Sequence, residues 1–157
     1  MDSPAAQASV LDLAPVIPVV VVDTVDAAVP LARALVAGGL PAIEVTLRTP
    51  VALDAIRAIA AEVPDAVVGA GTVISPDHVK GAVDAGARFL VSPGWTETLL
   101  EALKGSGVPF LPGVSTTSEV VALLEHLVIG TVLAAVVTGH DSLLSSDRSR
   151  IGVVRAP

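Results

Sequence analysis

The residues best suited to chemistry lie within one short apolar segment, Ile43-Glu44-Val45-Thr46-Leu47-Arg48. As a strand, the segment alternates, with Glu44, Thr46 and Arg48 on one face and Ile43, Val45 and Leu47 on the other. A carboxylate on an enclosed sheet face loses water, which raises its pKa toward neutrality and suits it to move protons. Arg48 at the strand end offers a bidentate fork for a substrate carboxylate. The same two residues read equally as an internal Glu44 to Arg48 ion pair with no catalytic duty.

Three further segments carry residues of the kind that gather round a ligand. Gly69-Ala70-Gly71-Thr72 combines small residues, which let a backbone approach a ligand, with a hydroxyl donor, although glycines are common in any βα loop. Ser92-Pro93-Gly94 reads as a plain turn or as one wall of a pocket. Pro112-Gly113-Val114-Ser115-Thr116 reads as a turn followed by a helix cap. Trp95 either lines a pocket or, more simply, covers the seam between helix and strand. His78 follows Asp77 in a first helical turn and is expected at the surface.

Composition narrows the chemistry further. The 157 residues include no cysteine, so neither a disulfide framework nor a thiolate metal site is available. His78, His126 and His140 lack i,i+4 spacing, and no metal site or cofactor is expected. A net charge of −7 gives no electrostatic footprint for nucleic acid, so the expected partner is a small molecule. Residues 1–9 carry an acid and no basic residue, the wrong charge for a signal peptide, and a cytoplasmic location is the expectation. The longest apolar stretches, 16–22 and 127–137, fall far short of the ~20 residues of a membrane-spanning helix.

The elements that must position these residues alternate β-branched runs with amphipathic stretches, the pattern of successive βα units in a parallel sheet. Strands are expected at 16–22, 42–47, 66–70, 88–91 and 109–111. The first helix, 25–37, places Val25, Val29, Ala32, Leu35 and Val36 on one face and stops at Gly38-Gly39. The second is capped by Thr49, with Pro50 in its first turn and a buried stripe of Leu53, Ile56 and Ile59-Ala60. Ser75-Pro76-Asp77 opens the third, which runs to Ala85. The fourth spans 96–104, and Thr116 with Glu119 has capping-box spacing for a fifth reaching about Leu127. After that the regular pattern ends: 127–137 is a sixth strand or a buried helix. The expected organisation is a partial barrel domain over 1–137 and an irregular or disordered tail over 138–157.

Four motifs together carry a specific resemblance. Glu44-Val45-Thr46-Leu47-Arg48-Thr49, Val68-Gly69-Ala70-Gly71-Thr72-Val73, Val91-Ser92-Pro93-Gly94 and Pro112-Gly113-Val114-Ser115-Thr116 follow in the order and spacing of the 2-keto-3-deoxy-6-phosphogluconate (KDPG) and 2-keto-4-hydroxyglutarate aldolases. The resemblance covers about residues 10–125. It implies a parallel (βα)8 TIM barrel, here an incomplete one of five to six βα units, whereas a closed barrel typically takes about 200 residues or more. It also implies a homotrimer and a metal-free class I aldolase, a carbon–carbon lyase. Such an enzyme cleaves KDPG to pyruvate and glyceraldehyde 3-phosphate through a Schiff base on a lysine. By matching motif, Glu44 resembles the general acid/base, Arg48 and Thr72 the grip on the pyruvate carboxylate, and Pro93 a wall of the pocket.

The family's lysine is expected in a Lys-Phe-Phe-Pro sequence about where Val132 stands, yet this chain reads Ile129-Gly130-Thr131-Val132-Leu133-Ala134. Its two lysines, Lys80 and Lys104, fall in helices expected on the outside of the barrel. The glycine-rich phosphate loops of the family's last strands are missing too. The expectation is an aldolase-family chain, truncated or shifted in frame after about residue 125, with negligible KDPG cleavage. The alternative is a non-catalytic keto-acid-binding or oligomerising protein. A metal-dependent aldolase is disfavoured because no cluster of His and carboxylate ligands stands out.

Overall fold

A computed structural model describes residues 10–14 and 16–126, and the backbone of two further strands at 135–137 and 152–154. The expectations for 1–9, for the neighbourhood of Val132 and for most of the tail lie outside the described residues.

Five parallel strands alternate with five helices in chain order: β1 (Val19–Val20), α1 (Val25–Ala37), β2 (Ala42–Thr46), α2 (Ala52–Glu62), β3 (Val67–Gly71), α3 (Pro76–Asp84), β4 (Leu90–Ser92), α4 (Glu97–Gly105), β5 (Phe110–Val114) and α5 (Thr117–His126). A sixth strand, β6 (Ala135–Val137), adds parallel to β5, and a seventh, β7 (Gly152–Val154), pairs antiparallel with β6. Strand order follows chain order from β1 to β7, the arrangement of a barrel wall. Within 127–137 the strand reading holds for residues 135–137. The tail, expected to be irregular, contains β7.

The strands differ from expectation in ways their residues explain. β1 pairs over two residues and not seven: Pro18 has no N–H to donate, its carbonyl accepts from the Glu44 N–H at 2.9 Å, and the run lies at a sheet edge. β5 is longer than expected and passes through Pro112-Gly113, which is therefore not a turn; Ser92 pairs with Pro112 in register. Proline's fixed φ suits extended chain. Ser92 ends β4, and the chain bends directly after it at Pro93-Gly94.

Helix signals fare well. α1 stops as the sequence indicates: the Leu40 N–H reaches the Leu35 carbonyl at 3.0 Å, and Gly39 takes φ +83°, the left-handed conformation glycine tolerates best. Its most buried face is Ala28, Val29 and Ala32, with Leu35 and Val36 half-buried. Ser75 caps α3 through the His78 N–H at 3.2 Å, and Thr96 caps α4 through the Leu99 N–H at 3.2 Å. At α5 the capping box closes in both directions: the Glu119 N–H donates to Thr116 Oγ1 at 3.2 Å, and the Thr116 N–H to Glu119 Oε2 at 2.9 Å. Two expectations fail. Thr49 does not cap α2, because its hydroxyl donates instead to the Val22 carbonyl at 2.7 Å and the helix begins later, after Val51. In the buried stripe of α2, Ala52 and Ala55 join Ile56 and Ile59, while Ala60 is exposed.

Two apolar layers flank the sheet. The larger lies between strands and helices and joins Ile43, Val45, Val68, Ala70, Leu90 and Phe110 to the helix residues Ile56, Ile59, Leu100 and Leu103. The smaller lies on the opposite face, where Ala42, Phe89 and Leu111 meet Val10 from a single helical turn at Val10–Asp12. Glu44, Thr46, Gly69 and Gly71 share that inner face by period two. No described helix is long and apolar enough to cross a membrane.

Candidate active site at the carboxyl ends of the strands

In a parallel βα array the carboxyl ends of the strands form the functional face, and the four predicted segments all lie there. Glu44 sits at the centre of β2, opposite Val19 on one side and Gly69 on the other. It is one of three buried polar residues, with Thr46 and Ser92, among the described residues. Burial pushes its carboxyl up from 4.5 to about 7, against a smaller lowering by the Arg48 charge. Ion pairs within 4 Å among the described residues join Arg33 to Glu62, Arg57 to Asp54 and Lys80 to Asp84. None joins Glu44 to Arg48, so the two are not locked in an internal salt bridge. A carboxyl group with a pKa near 7 can both donate and accept a proton at neutral pH.

Arg48 lies beyond the end of β2. The turn that places it is closed by its own N–H, which donates to the Thr46 carbonyl at 2.8 Å, and its side chain is exposed. Thr46 is fixed in turn, its hydroxyl donating to the Val20 carbonyl at 3.2 Å. With Thr49 on Val22, two threonines tie the loop after β2 to the end of β1.

Thr72 follows β3 directly and has φ +61°, the one non-glycine positive φ in the structure's described residues. A β-branched residue held there stores strain of roughly 1–3 kcal/mol, a cost that concentrates at functional sites. The bonds on either side hold it: the Leu47 N–H donates to the Gly71 carbonyl at 2.9 Å, and the Val73 N–H to the Val91 carbonyl at 3.0 Å.

Pro93 is exposed at the end of β4, and its carbonyl oxygen lies only 2.4 Å from where a Cβ on Gly113 would be. From their neighbours in sequence, the glycines of the site read as openings for a ligand or as turns. Here they make room for protein groups: the ring of Phe89 over Gly69, the carboxyl of Glu44 over Gly71, and the Pro93 carbonyl beside Gly113. Two glycines at period two in a buried strand, flanked by large residues on neighbouring strands, are the signal that could have revealed this.

The remaining candidates fall outside this group. Trp95 is half-buried, packs against the larger core layer and meets the His126 ring edge-on at 5.6 Å, as the seam-covering role requires. His78, expected at the surface, is half-buried, and its Nδ1 is enclosed without a partner among the described residues. Lys80 lies on α3 beside Asp84, and Lys104 on α4 donates to the His126 carbonyl. Both are exposed on the helical layer, away from the strand ends. Among the described residues no group of three His, Asp or Glu is placed to hold a metal ion.

Comparison with known proteins agrees with this architecture. The sequence profile of the KDPG and KHG aldolases matches residues 8–132. The KHG/KDPG aldolase of Escherichia coli K12 is 52% identical over 118 residues, covering 75% of this chain and 55% of that protein. The 2-dehydro-3-deoxy-phosphogluconate aldolase of Dickeya dadantii is 50% identical over 117 residues, with coverage of 74% and 55%. The KDPG aldolase of Legionella pneumophila, crystallised with pyruvate captured as a covalent carbinolamine, superposes with a TM-score of 0.71 at 48% identity, covering 74% of this chain and 56% of that one. The chain thus spans about half the length of the curated relatives it matches, and within that span it belongs to the KDPG and KHG aldolase family.

Proposed function

We propose that the mouth formed by Glu44, Arg48, Thr72 and Pro93 binds a small 2-keto acid, and that it is the proton-transfer and carboxylate-binding half of a class I aldolase site. The observation that carries this reading is Glu44, buried at the functional face with its carboxyl raised to about 7. In the family's reaction a lysine amine adds to the substrate ketone, water leaves the carbinolamine, and the carbon–carbon bond breaks to give an enamine. Each of those steps moves a proton. A carboxyl group poised near neutrality supplies and removes it, while Arg48 and the Thr72 hydroxyl hold the substrate carboxylate.

The nucleophile is what these 157 residues lack. No lysine follows Lys104, and both lysines point away from the mouth on α3 and α4. Loss of a covalent nucleophile removes many powers of ten in rate, so cleavage of KDPG or 2-keto-4-hydroxyglutarate by this chain is expected to be negligible. The resemblance extends the proposal to a cytoplasmic homotrimer without metal or cofactor.

The test is mass spectrometry of the folded protein after incubation with pyruvate and borohydride, beside a pyruvate titration. Saturable binding that Arg48→Ala weakens, with no trapped adduct, is the expected result. A stoichiometric adduct on Lys80 or Lys104 would overturn the assignment of half a site, and absence of binding would overturn the keto-acid mouth.

A further inference from the structure

We propose that Gly71 is a positioning residue for Glu44: its bare Cα is the seat of the Glu44 carboxyl group, and a side chain there would expel that group from the mouth. The role rests on the reading of Glu44 as proton carrier, but its geometry stands independently.

A glycine is required either by its backbone angle or by the space it leaves. Gly39, Gly86 and Gly107 have positive φ, and Gly71 does not. Its backbone is open to any L-residue, so space is the reason. A Cβ at position 71 would stand 1.8 Å from Glu44 Oε1, 2.6 Å from Cδ and 2.7 Å from Cγ, all far inside van der Waals contact.

The backbone of β3 cannot retreat to make room. The Gly71 carbonyl accepts the Leu47 N–H at 2.9 Å, Gly71 is in register with Thr46, and the Val73 N–H is bonded to Val91 at 3.0 Å. The movable partner is the Glu44 side chain. Inward, its path is closed by the ring of Phe89 packed over Gly69 and by the Ala42, Phe89 and Leu111 cluster. The remaining exits lead to water, at the strand ends and over the exposed Val19 of β1.

A carboxyl group displaced that way regains solvent, and the cause of its raised pKa, burial, is removed. Gly94, just past the end of β4 beside Pro93, is the internal control: a Cβ added there would meet nothing within 4 Å.

The experiment follows the Glu44 side-chain carboxyl by carbon-13 NMR through a pH titration of the wild type, Gly71→Ala and Gly94→Ala. The expected midpoint is about 7 in the wild type. It falls by about one unit or more in Gly71→Ala, roughly a tenfold gain in acidity, and is unmoved in Gly94→Ala. A folded Gly71→Ala protein with the wild-type midpoint overturns the proposal.

Should Gly71→Ala not fold, Glu44→Ala is added to it. Cutting residue 44 back to its Cβ removes the Cγ, Cδ and Oε1 atoms that the new methyl would strike, so the double variant recovers folding that the single variant lost. If the double variant gains nothing over Gly71→Ala, Gly71 does not act through Glu44 and the proposal is overturned. The titration and the rescue are indifferent to pyruvate, so failure of keto-acid binding and failure of this inference are separate results.

Discussion

The two faces of the sheet are built to different standards. On the outer face, five strands and five helices enclose a continuous aliphatic layer in which Ile43, Ile56, Ile59, Val45 and Val68 are almost completely withdrawn from water. On the inner face, the apolar cluster is small, the centre holds Glu44 and Thr46, and Val19 in β1 is 63% exposed, with Val21 just beyond it 51% exposed. Alternation within single strands thus feeds one layer that holds the fold together and another that carries chemistry and is partly open. Burial of apolar area is the principal favourable term in folding, so stability in this chain resides in the outer layer.

The largest effect that can break this comparison comes from Ile56, fully enclosed between α2 and the sheet. Ile56→Ala removes buried methyl groups and leaves a cavity, a change that costs about 2–5 kcal/mol. Urea denaturation is expected to show a midpoint lowered accordingly. A loss below about 1 kcal/mol would mean that the outer layer is loosely packed and is not the source of stability.

The next effect sharpens the comparison by titrating the inner face. Glu44 has a folded pKa of about 7 against 4.5 for the free group, so the folded state holds the proton more tightly than the unfolded state. This group's contribution to stability is therefore greatest below pH 4.5 and declines as pH rises through 7. Glu44→Gln removes the decline. Relative to wild type, the variant is expected to gain up to about 3 kcal/mol between pH 4 and pH 8. Glu119 acts in the opposite sense, since hydrogen bonds from the Ser115 and Thr116 N–H groups hold its carboxyl below the usual range. Its contribution is present in both proteins and cancels in the difference. Stability curves with the same pH slope in wild type and Glu44→Gln would show that the inner carboxyl is solvated.

Much of this arrangement was legible in the sequence, because the signals that specify it are local. Helix starts at Ser75, Thr96 and Thr116 and stops at Gly38-Gly39 depend on neighbours three or four residues away, and they lie where the spacing puts them. The burial of Glu44 followed from period-two alternation. What could not be read involves partners distant along the chain. Thr49 looks like a cap from its neighbours, yet its hydroxyl goes to Val22, 27 positions away. Pro112-Gly113 looks like a turn, yet its register with β4 makes it strand. The positive φ of Thr72 has no mark in residue type, since threonine is among the residues least expected there. Gly71 was visible as a glycine, but its purpose depends on a side chain from the neighbouring strand.

The smallest effect bears most directly on how open the inner face is. Val19 pairs with Glu44, which places its side chain on the inner face, and that side chain is largely exposed. Threonine has nearly the same shape and a similar preference for strands, so Val19→Thr at an exposed edge should change stability by no more than about 0.5 kcal/mol. If Val19 is instead covered in solution by another part of the protein or by another chain, the hydroxyl would be buried without a partner. The cost would then rise to roughly 1–3 kcal/mol. Measuring the variant over a range of protein concentrations separates the two sources of cover. A cost that grows with concentration points to a second chain, because association stabilises only the folded form. A cost independent of concentration points to cover from within the same polypeptide. A cost near zero at every concentration leaves the first strand as an open wall of the mouth in which Glu44 sits.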